Sequence, residues 1–121
     1  MPVASFDKSR RLLTSAEYSF VFDKAAYRVS HRHYLVLARK GESGHARLGL
    51  VVSKKNIRLA TRRNRVKRVV RETFRKTLHP LDSLDIIFLA RKGFDTLQPS
   101  FQTSLMEGAW LKLAKNLESS Q

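Results

Sequence analysis

Residues 54–76 constrain this chain most tightly. Within them Lys54, Lys55, Arg58, Arg62, Arg63, Arg65, Lys67, Arg68, Arg71, Arg75 and Lys76 stand against a single acid, Glu72. From about 61 to 77 the same segment places Val66, Val69, Val70 and Phe74 on one face of a helix. At 100° per residue, Asn64, Lys67, Arg68, Arg71 and Arg75 gather on the opposite side. A helix of this kind has to bury one face in a core and present the other to solvent or to an anion. Like charges at the Arg68/Arg71 and Arg71/Arg75 spacings each destabilise an isolated helix by about 0.2–0.5 kcal/mol. Fold stability gives no reason for such a face, whereas phosphate neutralisation does.

The whole chain carries 24 Lys and Arg against 10 Asp and Glu, a net charge of +14 that this one segment largely supplies. A solvated surface mixes both signs, so the concentration reads as a polyanion footprint, with nucleic acid as the partner. An anionic membrane surface would need an exposed apolar face beside the charges, and the apolar stripes of this sequence are all assigned to a core. No stretch approaches the roughly 18 apolar residues of a membrane span, and the N-terminus has no apolar run behind its basic residues. The absence of cysteine removes disulfides, thiolate chemistry and cysteine zinc sites. The expected compartment is the cytoplasm.

At 121 residues, with no repeat or linker, the chain is expected to be one domain over 1–121, with a core over about 7–117 and frayed ends at 1–10 and 118–121. Thr14 and Glu17 have the spacing of a capping box, with Leu13 and Tyr18 as a hydrophobic staple, and predict a first helix over about 15–26. Tyr18, Val21, Phe22 and Ala25 share one of its faces, and Phe20 points away. His33 to Arg39 predicts a strand, and the turn GESGH leads into a second, ARLGLVVSK, as a hairpin. The run LDIIFLAR predicts a buried strand, and a last helix over about 100–117 puts Leu105, Met106, Ala109, Trp110, Leu113 and Leu117 on one face. The order helix, strands, helix, strand, helix specifies an α+β domain with helices on a central sheet.

The chain offers no self-sufficient active site. Its four histidines, at 31, 33, 45 and 79, lack a third ligand at metal-binding spacing, and there is no nucleophile elbow or glycine-rich phosphate loop. Asp82 and Asp85 come closest to a carboxylate pair, and their place before a strand suits a turn.

The segment VVSKKNIRLATRRNRVKRVVRETFR, residues 51–75, resembles the signature of the protein subunit of bacterial ribonuclease P. Arg63-Asn64-Arg65 is followed by Lys67-Arg68, Arg71-Glu72 and Phe74-Arg75, with Ser53-Lys54-Lys55 ahead. The aromatic first helix after RLL, the RLGL and DIIFLARKG strands and a last helix with Trp extend the likeness over roughly 7–117.

The resemblance implies a fold like domain 2 of ribosomal protein S5, with a left-handed βαβ crossover where a right-handed one is the rule. It implies a non-catalytic subunit of a hydrolase, an endonuclease whose RNA removes the 5′ leader from precursor tRNA. The protein then binds no cofactor of its own, and the RNA subunit requires Mg2+. The partners implied are that catalytic RNA, precursor tRNA and other structured RNA precursors, with no membrane and no DNA. Lys54, Lys55, Arg62, Arg63, Asn64, Arg65, Lys67, Arg68, Arg71 and Arg75 fall on the positions that bind the catalytic RNA. Tyr18 and Phe22 fall on those that guide the leader; Leu37 fills a cleft position that is aromatic in some members. A ribosomal or other structured-RNA scaffold protein shares the charge and the lack of catalytic residues, and the whole-chain likeness sets it aside.

Overall fold

The structure, a computed structural model, describes residues 11, 12, 14–42, 44–77, 81 and 83–119. Thr14 opens the first helix, α1 (Ser15–Lys24), through both halves of a capping box. Its hydroxyl accepts the Glu17 N–H, and the Glu17 carboxylate accepts the Thr14 N–H, each at 3.1 Å. Leu13, the expected staple residue, lies outside the described residues. The helix stops short of 26 because Ala25 turns to extended backbone.

Strands β1 (Tyr27–His31), β2 (Tyr34–Lys40), β3 (Arg47–Val51) and β4 (Leu84–Ala90) form one sheet in the order β1-β2-β4-β3. Helix α2 (Ala60–Lys76) connects β3 to β4. Helix α3 (Pro99–Ser119) follows a 3-10 turn at Phe94–Thr96. The α+β class matches expectation, and α2 connects the parallel neighbours β3 and β4.

The expected hairpin between His33–Arg39 and ARLGLVVSK does not form. Instead β2 pairs antiparallel with β1 on one side and with β4 on the other, while β3 lies parallel to β4, Leu50 opposite Phe88. The reason lies in β4. It is buried along nearly its whole length on both faces, which suits a central strand with a partner on each edge. The hairpin that does form, β1 with β2, turns through Arg32 and His33. It lacks the Gly, Asn or Asp that announces a two-residue turn, so β1 had no counterpart among the expected elements.

On one side of the sheet α2 and α3 close the main core. Val66, Val70 and Phe74 are fully buried, Val69 only partly. Thr73, a member of this face that the apolar pattern omits, donates its hydroxyl to α2 carbonyls and accepts the indole N–H of Trp110 at 2.9 Å. Trp110 also meets Phe74 edge to face, ring centroids 5.3 Å apart. It is a core residue, as expected. Helix α3 runs on through 118 and 119, which were expected in the frayed end.

On the other side α1 covers a smaller cluster of Leu12, Val21, Leu37 and Ile87. Val21 is the single buried residue of α1, so polar contacts carry much of its attachment. The Tyr18 hydroxyl accepts the Leu50 N–H at 3.1 Å, and the ring lies over Gly49. Asp85 proves to be more than a turn residue. It is buried and takes two hydrogen bonds from the Arg47 guanidinium at 2.9 Å, while Arg47 also reaches Glu17 at 2.7 Å. Asp85 first, and Glu17 after it, hold the guanidinium further above its ordinary range although burial opposes this. Asp82 lies outside the described residues.

Gly49 is required by this arrangement, because a Cβ there would sit 2.7 Å from the Tyr18 ring. Gly49→Ala is expected to destabilise the fold by about 1–3 kcal/mol in urea melts. Tyr18→Ala in the same chain should recover part of the penalty that steric conflict adds, and strictly additive losses would show that the two positions do not compete for space.

Candidate nucleic-acid interface

The turn before α2 is built by Ser53, whose hydroxyl accepts the Asn56 N–H at 3.2 Å and whose carbonyl accepts that of Ile57 at 2.9 Å. Ile57 is buried, and the Asn56 amide donates to the Ala90 carbonyl at the end of β4, which anchors the turn to the sheet. Lys54, Lys55 and Arg58 are thereby held exposed on a fixed backbone. Leu59 precedes α2 without a side-chain cap, and no acid occupies the first turn. The positive end of the helix dipole therefore meets no acid of α2 itself, and the carboxylate beside it is Asp95, which is taken up by Arg62. Around this helix end lies a cavity of about 500 Å³ whose walls include Lys55, Arg58, Arg62 and Lys92.

Along α2 the expected cations divide into groups. Arg65, Lys67, Arg71 and Arg75 have no carboxylate partner among the described residues. Arg68 pairs with Glu72 at 3.1 Å, but its side chain is 79% exposed, so the pair leaves it accessible and adds little. Arg62 meets Asp95 at 3.2 Å. Arg63 turns back to donate to the carbonyls of Ile57 and Arg58 at 3.1 and 2.7 Å. It braces the turn that presents its neighbours. Asn64 is exposed.

The basic face also curves toward α1. Lys67 and Arg71 share a cavity of about 210 Å³ with Arg11, Tyr18 and Leu50. Tyr18 and Phe22 share a face of α1, and Tyr18 lies beside cations of the arginine-rich segment rather than away from it. Tyr18 is half-buried and tied to β3 beside the cations, while Phe22 is 42% exposed. Leu37 is buried under α1 as packing. The resemblance left Arg58 out of the RNA-binding set, and sequence reasoning did not nominate Arg11 or Lys92 for this surface. Arg58 was legible in the charge run and Lys92 in the RKG that follows β4; Arg11 needed the bridge to Leu48 that brings it alongside β3.

Among the described residues no three His, Asp or Glu gather where they could hold a metal ion, and no helix is long and apolar enough to cross a membrane. The surface offers positive charge and N–H donors at fixed positions, which is the chemistry of phosphate recognition.

The family profile for ribonuclease P matches residues 6–114. The chain is 47% identical to the ribonuclease P protein component of Marinobacter nauticus over 99% of its own length and 90% of that protein's. The chain belongs to the ribonuclease P protein family. It is 42% identical to the Pseudomonas aeruginosa component, over 92% of this chain and 82% of that one. Its fold is similar to that of the Staphylococcus aureus RNase P protein, with a TM-score of 0.79 at 30% identity, covering 89% of this chain and 97% of that one. The Thermotoga maritima RNase P protein gives 0.69 at 28% identity, covering 87% and 96%. This ribonuclease P protein is thus a subunit of an endoribonuclease that processes the 5′ ends of tRNA, working with the ribonuclease P RNA and precursor tRNA.

The two classes of arginine predict two phenotypes. Arg65→Ala should lower the slope of log affinity for ribonuclease P RNA against log salt by roughly 0.7–0.9 and leave the melting curve unchanged. Arg63→Ala should cost about 1–2 kcal/mol of stability through its lost hydrogen bonds to the turn. Salt titrations and thermal melts of both variants check the division; identical profiles would remove it.

Proposed function

We propose that the outward face of α2, with the turn before it, is where the catalytic RNA docks, and that Phe22 on α1 guides the single-stranded leader of precursor tRNA. The observation that carries the first part is the set Lys67, Arg71 and Arg75 along one flank of α2, with Arg65 on the other flank. These cations lack carboxylate partners among the described residues and sit on a helix whose reverse side buries Val66, Val70, Thr73 and Phe74. The buried side fixes the backbone on which these cations stand, so the helix presents them to an RNA backbone without first having to order itself. Lys54 and Lys55 extend this surface past the α2 N-terminus, and Arg62, Asn64 and Arg68 add to it along the helix.

The second part rests on exposure. A ring that is 42% exposed on a helix with one buried residue contributes little to packing, and it is free to stack on a base without strong sequence preference. Tyr18 contributes its position at the Lys67 and Arg71 cavity more than a free ring face, since its hydroxyl and ring are committed to Leu50 and Gly49. Contacts of this kind accept many leaders, and they extend to other structured RNA precursors. The magnesium ions and the water they activate belong to the RNA subunit in this reading. The protein contributes charge and position, and it works in the cytoplasm.

Two measurements test the reading. Labelled precursor tRNA at low magnesium should lose its leader only when protein and ribonuclease P RNA are both present; cleavage by RNA-free protein would defeat it. In reconstituted holoenzyme, Phe22→Ala should weaken binding of precursor tRNA by about ten- to a hundred-fold and leave mature tRNA binding unchanged. Its stability cost should stay well below the roughly 3–5 kcal/mol of a core phenylalanine. A folded variant that binds both RNAs as wild type does would reduce Phe22 to a surface ring.

A further inference from the structure

Between α3 and the β1-β2 hairpin lies an apolar groove of about 420 Å³, where His31 and Tyr34 meet Phe101, Leu105 and Leu111. It is a separate surface from the arginine helix, for it opens beside β1, the sheet edge opposite β3. Phe101 and Leu111 are 52% and 61% exposed although the other face of α3 supplies Trp110 and Met106 to the core. Gly108 lines the groove from mid-helix, where glycine is weaker than alanine. A Cβ there would meet nothing within 4 Å, so packing does not require the glycine.

Rings and charges indicate what fits. His31 stacks on Tyr34 with centroids 4.9 Å apart and planes 6° from parallel, and its Nδ1 accepts the His33 N–H at 3.1 Å. Burial, then His33 and Lys112, hold its pKa below the ordinary value, so the ring is a neutral planar surface at neutral pH. Lys112 and Lys115 line the same groove, and among the described residues no carboxylate does. A second copy of this chain would set these lysines, and a net charge of +14, against themselves.

We propose that this groove accepts an unpaired nucleotide of the substrate RNA, its base against the His31 and Phe101 rings, with Tyr34 buried behind His31, and its phosphate on Lys112 and Lys115. Aromatic surface flanked by cations is the general chemistry of single-strand binding, and the cavity lies within the usual size range of small-ligand sites.

The test uses holoenzyme reconstituted with ribonuclease P RNA and precursor tRNA carrying 4-thiouridine in its unpaired regions, irradiated and mapped by peptide. Crosslinks are expected on residues 101–115 or 31–34. Gly108→Leu, which fills open space, should remove them and weaken precursor binding by roughly ten-fold, with assembly on the ribonuclease P RNA unchanged. Lys112→Gln with Lys115→Gln should do the same without altering the groove's shape. Crosslinks confined to α1 and α2, crosslinks arising only from thiouridine placed in the ribonuclease P RNA, or wild-type precursor binding by both folded variants would overturn the assignment. So would an acidic peptide that binds the groove when precursor RNA does not.

Discussion

Strand β4 is apolar on both faces, and the rest of the architecture answers that demand. A strand of this kind has to be covered above and below and paired on each edge. Its neighbours β2 and β3 supply the pairing, α2 and α3 cover one face, and α1 covers the other. The parallel partner β3 can reach β4 only through a crossover, and α2 is that crossover. The most basic element of the chain is therefore also the one that topology forces against the central sheet.

This double duty resolves the conflict set by the charge pattern. Repulsion along the outer face of α2 is modest per pair, while Val66, Val70 and Phe74 are fully withdrawn from water. Burial of three such side chains, each roughly 1.5–3 kcal/mol, outweighs it. The Thr73 hydroxyl bonded to Trp110 then fixes the rotation of α2 about its axis. The direction in which the arginines point is thus decided from the buried side.

Local signals were legible. The Thr14 and Glu17 pair marked the start of α1 and the 3.6-residue period marked α2, because each involves residues within a turn of one another. Pairing was less so: β2 and β3 looked like a hairpin, and only the appetite of β4 for two neighbours separates them. The site was readable as a charge run, since net charge needs no tertiary knowledge. Which cations are free was not readable, because Arg63 and Arg65 are alike in the sequence and differ only in whether carbonyls at 57 and 58 lie within reach. The contacts of Tyr18 with Gly49 and Leu50 were not readable either, because those residues lie on β3, far from it in the chain.

The Glu17 carboxylate divides its two oxygens between tasks that are usually separate. One accepts the Thr14 N–H and closes the start of α1; the other holds Arg47, which in turn holds Asp85. Positions 14, 17, 47 and 85 therefore form a single epistatic unit. A change tolerated at one of them depends on what stands at the other three, and a drifting sequence has to cross that unit in coordinated steps.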